Sequence, residues 1–152
     1  MSAAEKTVTD PLRQQQLVAQ LKAFLPAYCV LWKPEETRPY ECDGLSIYRQ
    51  LPMIVVLPET EEHVSEVLKL CHAQRVPVVA RGAGTGLSGG AMPMGNGVLL
   101  GLSKLNKILK LDPYSRTAVV QPGVGNLAIS EAAAPYGLYY APDPSSQIAC
   151  TI

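Results

Sequence analysis

Residues 81–97 read RGAGTGLSGGAMPMGNG, and seven of these seventeen are glycine: Gly82, Gly84, Gly86, Gly89, Gly90, Gly95 and Gly97. Glycine lets the backbone take positive φ and lets a ligand approach the main chain closely. Two readings compete, a flexible linker and an ordered loop that lays backbone amides against an anion. Linkers join independent units and are rich in Gly, Ser and charge. Here Leu87, Met92 and Met94 interleave with the glycines, and strand-like runs abut both ends. The whole chain has 152 residues, too few for two comfortable domains around a linker. The ordered loop is the better reading.

What flanks the loop sets its context. Met53–Leu57 (MIVVL) is a short β-branched run between Pro52 and Pro58, the pattern of a buried strand. Thr60 follows as an N-cap, with Glu61 and Glu62 in the first turn. Val64, Val67, Leu68 and Cys71 then recur at helical spacing, Pro77 ends the helix, and Val78–Ala80 is a second strand. This is a β-α-β unit, and the glycines begin where its second strand ends. Upstream, Thr9–Leu25 is a predicted helix, with Thr9 as cap, Asp10 and Pro11 in its start, and Leu17, Leu21, Phe24 and Leu25 on one face. Residues 33–52 read as an ordered, irregular connector. Downstream, Val98–Leu102 is strand-like, and Ile108–Leu111 with Thr117–Gln121 form a hairpin across DPYSR. Asn126 is the expected cap of a helix through Ala134, Gly137 its stop, and Leu138–Ala141 a last strand.

Two known phosphate loops can be tested against the glycines. A nucleoside-triphosphate loop needs a lysine after its last glycine, and no lysine lies between Arg81 and Gly101. The dinucleotide fingerprint G-x-G-x-x-G is matched by Gly84–Gly89, and Asp112 lies 23 residues further on, near the place of a ribose-binding acid. That motif works only when its third glycine enters a helix. Pro93 and the glycines at 90, 95 and 97 oppose a helix there. A nicotinamide-dependent Rossmann enzyme is therefore the weaker alternative, decided by whether a helix starts at Gly89 or Gly90. What remains is an anion-binding loop without a helix behind it, with hydroxyls from Thr85 and Ser88 and a nearby charge, Arg81, whose direction the sequence leaves open.

Composition narrows the partners. Thirteen basic and thirteen acidic residues give zero net charge, so no basic patch supports a nucleic-acid partner. No apolar run is long enough to span a bilayer, and the polar start MSAAEKTVTD has no signal-peptide core. A cytoplasmic chain is the expectation. The four cysteines (Cys29, Cys42, Cys71 and Cys150) form no C-x-x-C pair and read as reduced thiols, Cys71 packed as a small apolar side chain. His63 and His72 are nine residues apart on one predicted helix, on opposite faces, so they share no metal. The expected metal content is none.

Three separated motifs carry a resemblance: RGAGTGLSGGA at 81–91, QPGV at 121–124, and APDPSSQ at 141–147 followed by Thr151-Ile152. Their order after a β-α-β unit resembles the p-cresol methylhydroxylase-type FAD-binding family. YECDGLSIYRQLP at 40–52 is most similar, within that family, to flavoprotein subunits of glycolate oxidases and to D-lactate dehydrogenases. The resemblance implies an α+β fold of that type: β-α-β unit, glycine-rich loop, hairpin, helix. It implies that Arg81, Gly82, Ala83, Gly84, Thr85, Gly86 and Leu87 wrap the FAD pyrophosphate. Pro142, Asp143, Ser145, Ser146 and Thr151 would line the flavin side, and Pro122-Gly123 a turn near the cofactor. Some members bind FAD through a histidine in the loop; this loop has none, so non-covalent FAD is expected.

The implied function is the FAD-binding portion of a flavin-dependent 2-hydroxy-acid oxidoreductase. Residues 1–39 would be a helix and connector, and 40–152 the N-terminal part of the cofactor domain. Family members continue into a second half-site and a substrate domain, so the chain is expected to be incomplete at its C-terminus and without turnover alone. No acid–base pair is identifiable in it: Ser145 and Ser146 would need a neighbouring base to act as nucleophiles, and no histidine can be set beside them from sequence. PDPSS is equally readable as a rigid turn. Implied partners are FAD, a small 2-hydroxy acid in the intact enzyme, and an iron–sulfur or second flavoprotein subunit, in a complex peripheral to the inner membrane face. A non-catalytic nucleotide-binding remnant is the other alternative.

Overall fold

In the computed structural model, which describes residues 10–152, the apolar run at 53–57 becomes strand β2 (Ile54–Val56), every residue of it buried. Thr60 caps helix α3 (Glu61–Ala73), its hydroxyl accepting from the His63 amide at 3.2 Å. Strand β3 (Val78–Arg81) follows, and β4 (Val98–Gly101) returns after the glycines. A further strand, β1 (Val30–Leu31), precedes them all. The sheet order is β1-β2-β4-β3, so β4 lies between the two strands of the predicted β-α-β unit. It is parallel to both, with Val55 and Val79 each opposite Leu99, while β1 is antiparallel to β2. The continuous apolar runs of β2 and β4 match a parallel sheet covered on its faces.

Alternation along those strands assigns one face to the main core. Ile54, Val56, Val98 and Leu100 pack with Val67 and Cys71 of α3, and with Leu17, Val18 and Leu21 of helix α1 (Pro11–Lys22). Asp10 is the cap of α1, its carboxylate accepting from the Leu12 amide at 3.0 Å. Thr9, the expected cap, lies outside the described residues. The helix ends at Lys22 rather than Leu25, because Pro26 biases Leu25 away from helical backbone. Cys71 is fully buried, and burial pushes its thiol up to about 11. The connector at 33–52 is largely irregular, but it contains a one-turn helix α2 (Pro34–Thr37) that starts on a proline.

The second part of the chain forms a separate two-stranded sheet, β5 (Ile108–Asp112) antiparallel to β6 (Thr117–Val120). Asp112 builds its turn: the carboxylate accepts from the amides of Tyr114 and Ser115, each at 3.1 Å, and the Ser115 amide above all holds it below the usual carboxylate range. Helix α4 (Asn126–Ala133) follows, and Gly137 ends the next short 3₁₀ turn in left-handed backbone, as expected. Two expectations are corrected. Gly125, not Asn126, is the N-cap of α4, because the Asn126 side chain bonds to the Pro142 carbonyl instead. Leu138–Ala141 is not a strand; its Leu138 and Tyr140 amides go to Ala133 O and Ser130 Oγ of the α4 region rather than to a strand.

Candidate functional site

The three strands β2, β4 and β3 run parallel, so their carboxyl ends share one edge of the sheet, the side where open α/β sheets bind ligands. The glycine loop leaves that edge at the end of β3. It contains a bend at 87–89 and a turn at 90–91, and no helix at Gly89 or Gly90. Asp112 is spent on the hairpin turn. Both observations remove the Rossmann alternative.

Local packing explains three of the glycines. Gly84 has φ +73°, and a Cβ on it would strike the Arg81 guanidinium. A Cβ on Gly82 would strike Thr151 Oγ1. Gly44, from the distant DG at 43–44, packs against the loop: a Cβ there would lie 2.6 Å from Thr85 O and 2.8 Å from Gly86 O. Both carbonyls thus face Gly44. No peptide is cis, and a trans peptide sets its N–H opposite its C=O. The amides of Gly86 and Leu87 therefore point off the far face of the loop.

Those amides are unspent. Among the described residues, the N–H groups of Gly84, Thr85, Gly86, Leu87 and Ser88 find no acceptor in the protein. Successive free amides in irregular backbone form an anion-binding concavity. Gly86 adds a second sign. Its Cβ would meet nothing within 4 Å and its φ is not positive, so neither folding nor strain requires glycine there. The space over it is open to close approach from outside.

Arg81 lies beneath this row. Its Nη1 donates to Cys42 O at 2.5 Å, its guanidinium sits 5.9 Å from the Tyr40 ring centroid, and Gly84 packs on top of it. It props the loop and places positive charge under the amides. Leu87 is 71% exposed. Of the C-terminal residues, Thr151 reaches the loop directly, its hydroxyl accepting from the Ala83 amide at 3.1 Å. Pro142 is tied to Asn126 at 3.2 Å. Asp143, Ser145 and Ser146 make no side-chain hydrogen bond to the loop, and residues 145–149 form turns, with Gln147 and Cys150 amides donating to Pro144 and Ser146 carbonyls at 2.8 Å. Neither histidine touches the serines.

Sequence reasoning did not place Tyr40, Asp43 or Gly44 at the site, and it read Asn126 as a helix cap. Asp43 is only 5% exposed; one carboxylate oxygen accepts from the Leu45 amide at 2.9 Å and the other has no partner. The Asp-Gly pair at 43–44 was the available signal, a tight turn that permits close approach. A second polar cluster stands at the ends of β2 and β4. Lys104 Nζ bonds Glu59 at 2.7 Å, and the Tyr28 hydroxyl bonds the same carboxylate at 3.2 Å. The Lys104 hydrogen bond holds the Glu59 carboxyl below its usual range, and the bond to Glu59 raises Lys104 and Tyr28. The cluster satisfies itself and leaves no free acid or base.

Comparison with known proteins gives the family and the fold. A family model described as an FAD binding domain matches residues 52–152. The chain is 59% identical over 132 residues to glycolate oxidase subunit GlcD of Escherichia coli K12, covering 87% of this chain and 26% of that protein. It is 35% identical over 135 residues to D-lactate dehydrogenase of Anaerostipes hadrus, covering 88% and 28%. The chain thus spans about a quarter of the length of the curated relatives it matches. Among solved structures, 4-ethylphenol oxidase from Gulosibacter chungangensis superposes with TM-score 0.80 at 22% identity, covering 95% of this chain and 29% of that one. A p-cresol methylhydroxylase structure superposes with TM-score 0.72 at 24% identity, covering 86% and 26%. These superpositions show the fold expected from the three motifs. No helix among the described residues is long and apolar enough to cross a membrane.

Proposed function

The chain belongs to the FAD binding domain family, and from that premise we propose that residues 81–88 hold the FAD pyrophosphate on the unspent amides of Gly84 to Ser88. That row of free donors is the observation that carries the reading. FAD, the family's cofactor, supplies the two-electron redox chemistry when bound. The chain's own residues supply position and charge. Arg81 stiffens the loop from below, Gly44 backs it, and Gly86 leaves room for the phosphates. Thr151 joins the loop to the Pro142–Ser146 segment, which forms the flavin-side wall. Asp43 and Asn126 each keep one buried oxygen without a partner, a fit for a ligand rich in hydroxyl and N–H donors. The glycine loop itself carries no histidine, so the loop is read as holding FAD without a covalent bond.

The whole protein is read as a flavin-dependent 2-hydroxy-acid oxidoreductase of the glycolate or D-lactate type, with residues 40–152 as the first part of its cofactor domain. It would work in the cytoplasm or peripherally at the inner membrane face, with an iron–sulfur or second flavoprotein subunit. The 152-residue chain alone should reduce no dye with glycolate or lactate, because no catalytic acid–base pair is identifiable among its described residues. The direct test is Gly86→Ala. Its methyl group meets no protein atom, so the thermal midpoint should match wild type while FAD affinity, read by flavin fluorescence quenching, falls at least tenfold, about 1.4 kcal/mol. Equal FAD affinity in the two proteins would refute the loop as the phosphate site.

A further inference from the structure

The Pro142–Ile152 segment is mostly exposed, and its course is set by few bonds. Asn126, the first residue of α4, makes two of them. Its Nδ2 donates to Pro142 O at 3.2 Å, and its backbone amide donates to Cys150 O at 3.0 Å. The neighbours continue the seam: Gly125 pairs with Thr151 in an antiparallel bridge, and the Ile152 amide donates to Val124 O at 3.2 Å. Thr151 in turn takes the Ala83 amide on its hydroxyl. A continuous path of contacts therefore runs from Pro142 through Asn126 and Gly125 to Thr151 and the glycine loop.

Asn126 is 4% exposed, and its Oδ1 has no partner. Because Pro142 O can only accept, the amide orientation is fixed and the orphan is the oxygen. A buried acceptor left unpaired costs about 1–3 kcal/mol. The bond to Pro142 O accounts for the amide nitrogen and leaves the buried oxygen unaccounted for within these residues.

We propose that Asn126 is a positioning residue of the cofactor site. It holds the Pro142–Thr151 wall against α4 and so keeps Thr151 seated on Ala83. With the Ala83 N–H turned inward to Thr151, the amides from Gly84 onward stay free for the ligand. The inference rests on the FAD reading above for its purpose, though not for its geometry.

The test is Asn126→Leu in the 152-residue chain, with three readouts: thermal midpoint, hydrogen exchange at individual amides, and FAD titration. The midpoint should stay level or rise. Exchange at Ala83 should quicken about tenfold, the effect of losing one hydrogen bond's worth of anchoring, while Leu99 in the sheet is unchanged. FAD affinity should fall by a similar factor. Asn126→Ala removes the donor to Pro142 O without burying a charge and should reproduce the last two effects, which keeps the proposal testable if the leucine variant misfolds. Unchanged exchange at Ala83 in both variants would overturn the proposal. So would faster exchange spread through the sheet with a lowered midpoint, the mark of a merely structural residue. If wild-type chain takes up no FAD, the reading of the site fails, and the Ala83 exchange still decides the seam.

Discussion

The two sheets of this molecule differ in what holds them. The four-stranded sheet has Ile54, Val55, Val56, Val98, Leu99 and Leu100 all buried, with α1 and α3 packed on one face. The β5–β6 hairpin keeps most of its residues open, including Leu109 and Val119, which is 52% exposed. A two-stranded sheet is marginal without further cover. The first sheet is thus a folded foundation, and the second a surface feature held mainly by its turn and by α4. The candidate site straddles the two. The glycine loop grows from the firm sheet, whereas Asn126 and Thr151 come from the lightly packed part. Binding there should tie the weaker part to the stronger, and ligand should stabilise the chain in proportion.

Substitutions can break or sharpen this contrast. The largest expected effect is Ile54→Ala, which empties a fully buried core position and should cost about 2–5 kcal/mol in urea unfolding. A loss below 1 kcal/mol would mean the sheet is not the foundation. Next is a pH effect. The Cys71 thiol, raised from 9.0 to about 11 in the folded chain, favours the fold while it stays protonated. Its contribution is whole below the unfolded value of 9.0 and is lost as pH climbs through about 11, a decline of about 2–3 kcal/mol. Unfolding measured at pH 8 and pH 11 should show this in wild type and less of it in Cys71→Val.

Smaller effects follow in the loop and the hairpin. Gly84→Ala puts a Cβ at φ +73° against Arg81 and should cost about 1–2 kcal/mol while also weakening FAD uptake, read by melting with and without FAD. Arg81 should move with it. Smallest is Val119→Ala on the open hairpin, expected within about 0.5 kcal/mol of wild type by the same melts. A larger loss would show that the hairpin carries more of the fold than its exposure suggests.

Much of the fold was legible because the signals were local. Val-rich runs between prolines gave β2, a threonine followed by two glutamates gave the start of α3, and Pro93 ruled a helix out of the glycines. What escaped depends on partners distant in the chain. β1 is two residues long and exists only because β2 lies beside it. Leu138–Ala141 has strand-like residues, but its amides are taken by Ala133 and Ser130, so it pairs with no strand. The loop was legible as an ordered, helix-free glycine stretch, but its support was not. Gly44 lies about forty residues before it and Thr151 about seventy after, and no periodicity joins them. Asn126 looked like a cap because its side chain suits one; the carbonyl it found instead is sixteen residues away.

The position of β4 has a kinetic side. It slots between β2 and β3, both of which precede it, so those two strands have no hydrogen-bonded link until β4 arrives. The segment that must bring it back is the glycine loop itself, residues 82–97, with no helix to shorten the search. Closing that loop costs entropy before any parallel pairing rewards it. The glycine loop is therefore also the closure that completes the parallel sheet, and changes that stiffen it in the wrong shape should slow folding even where the finished structure tolerates them.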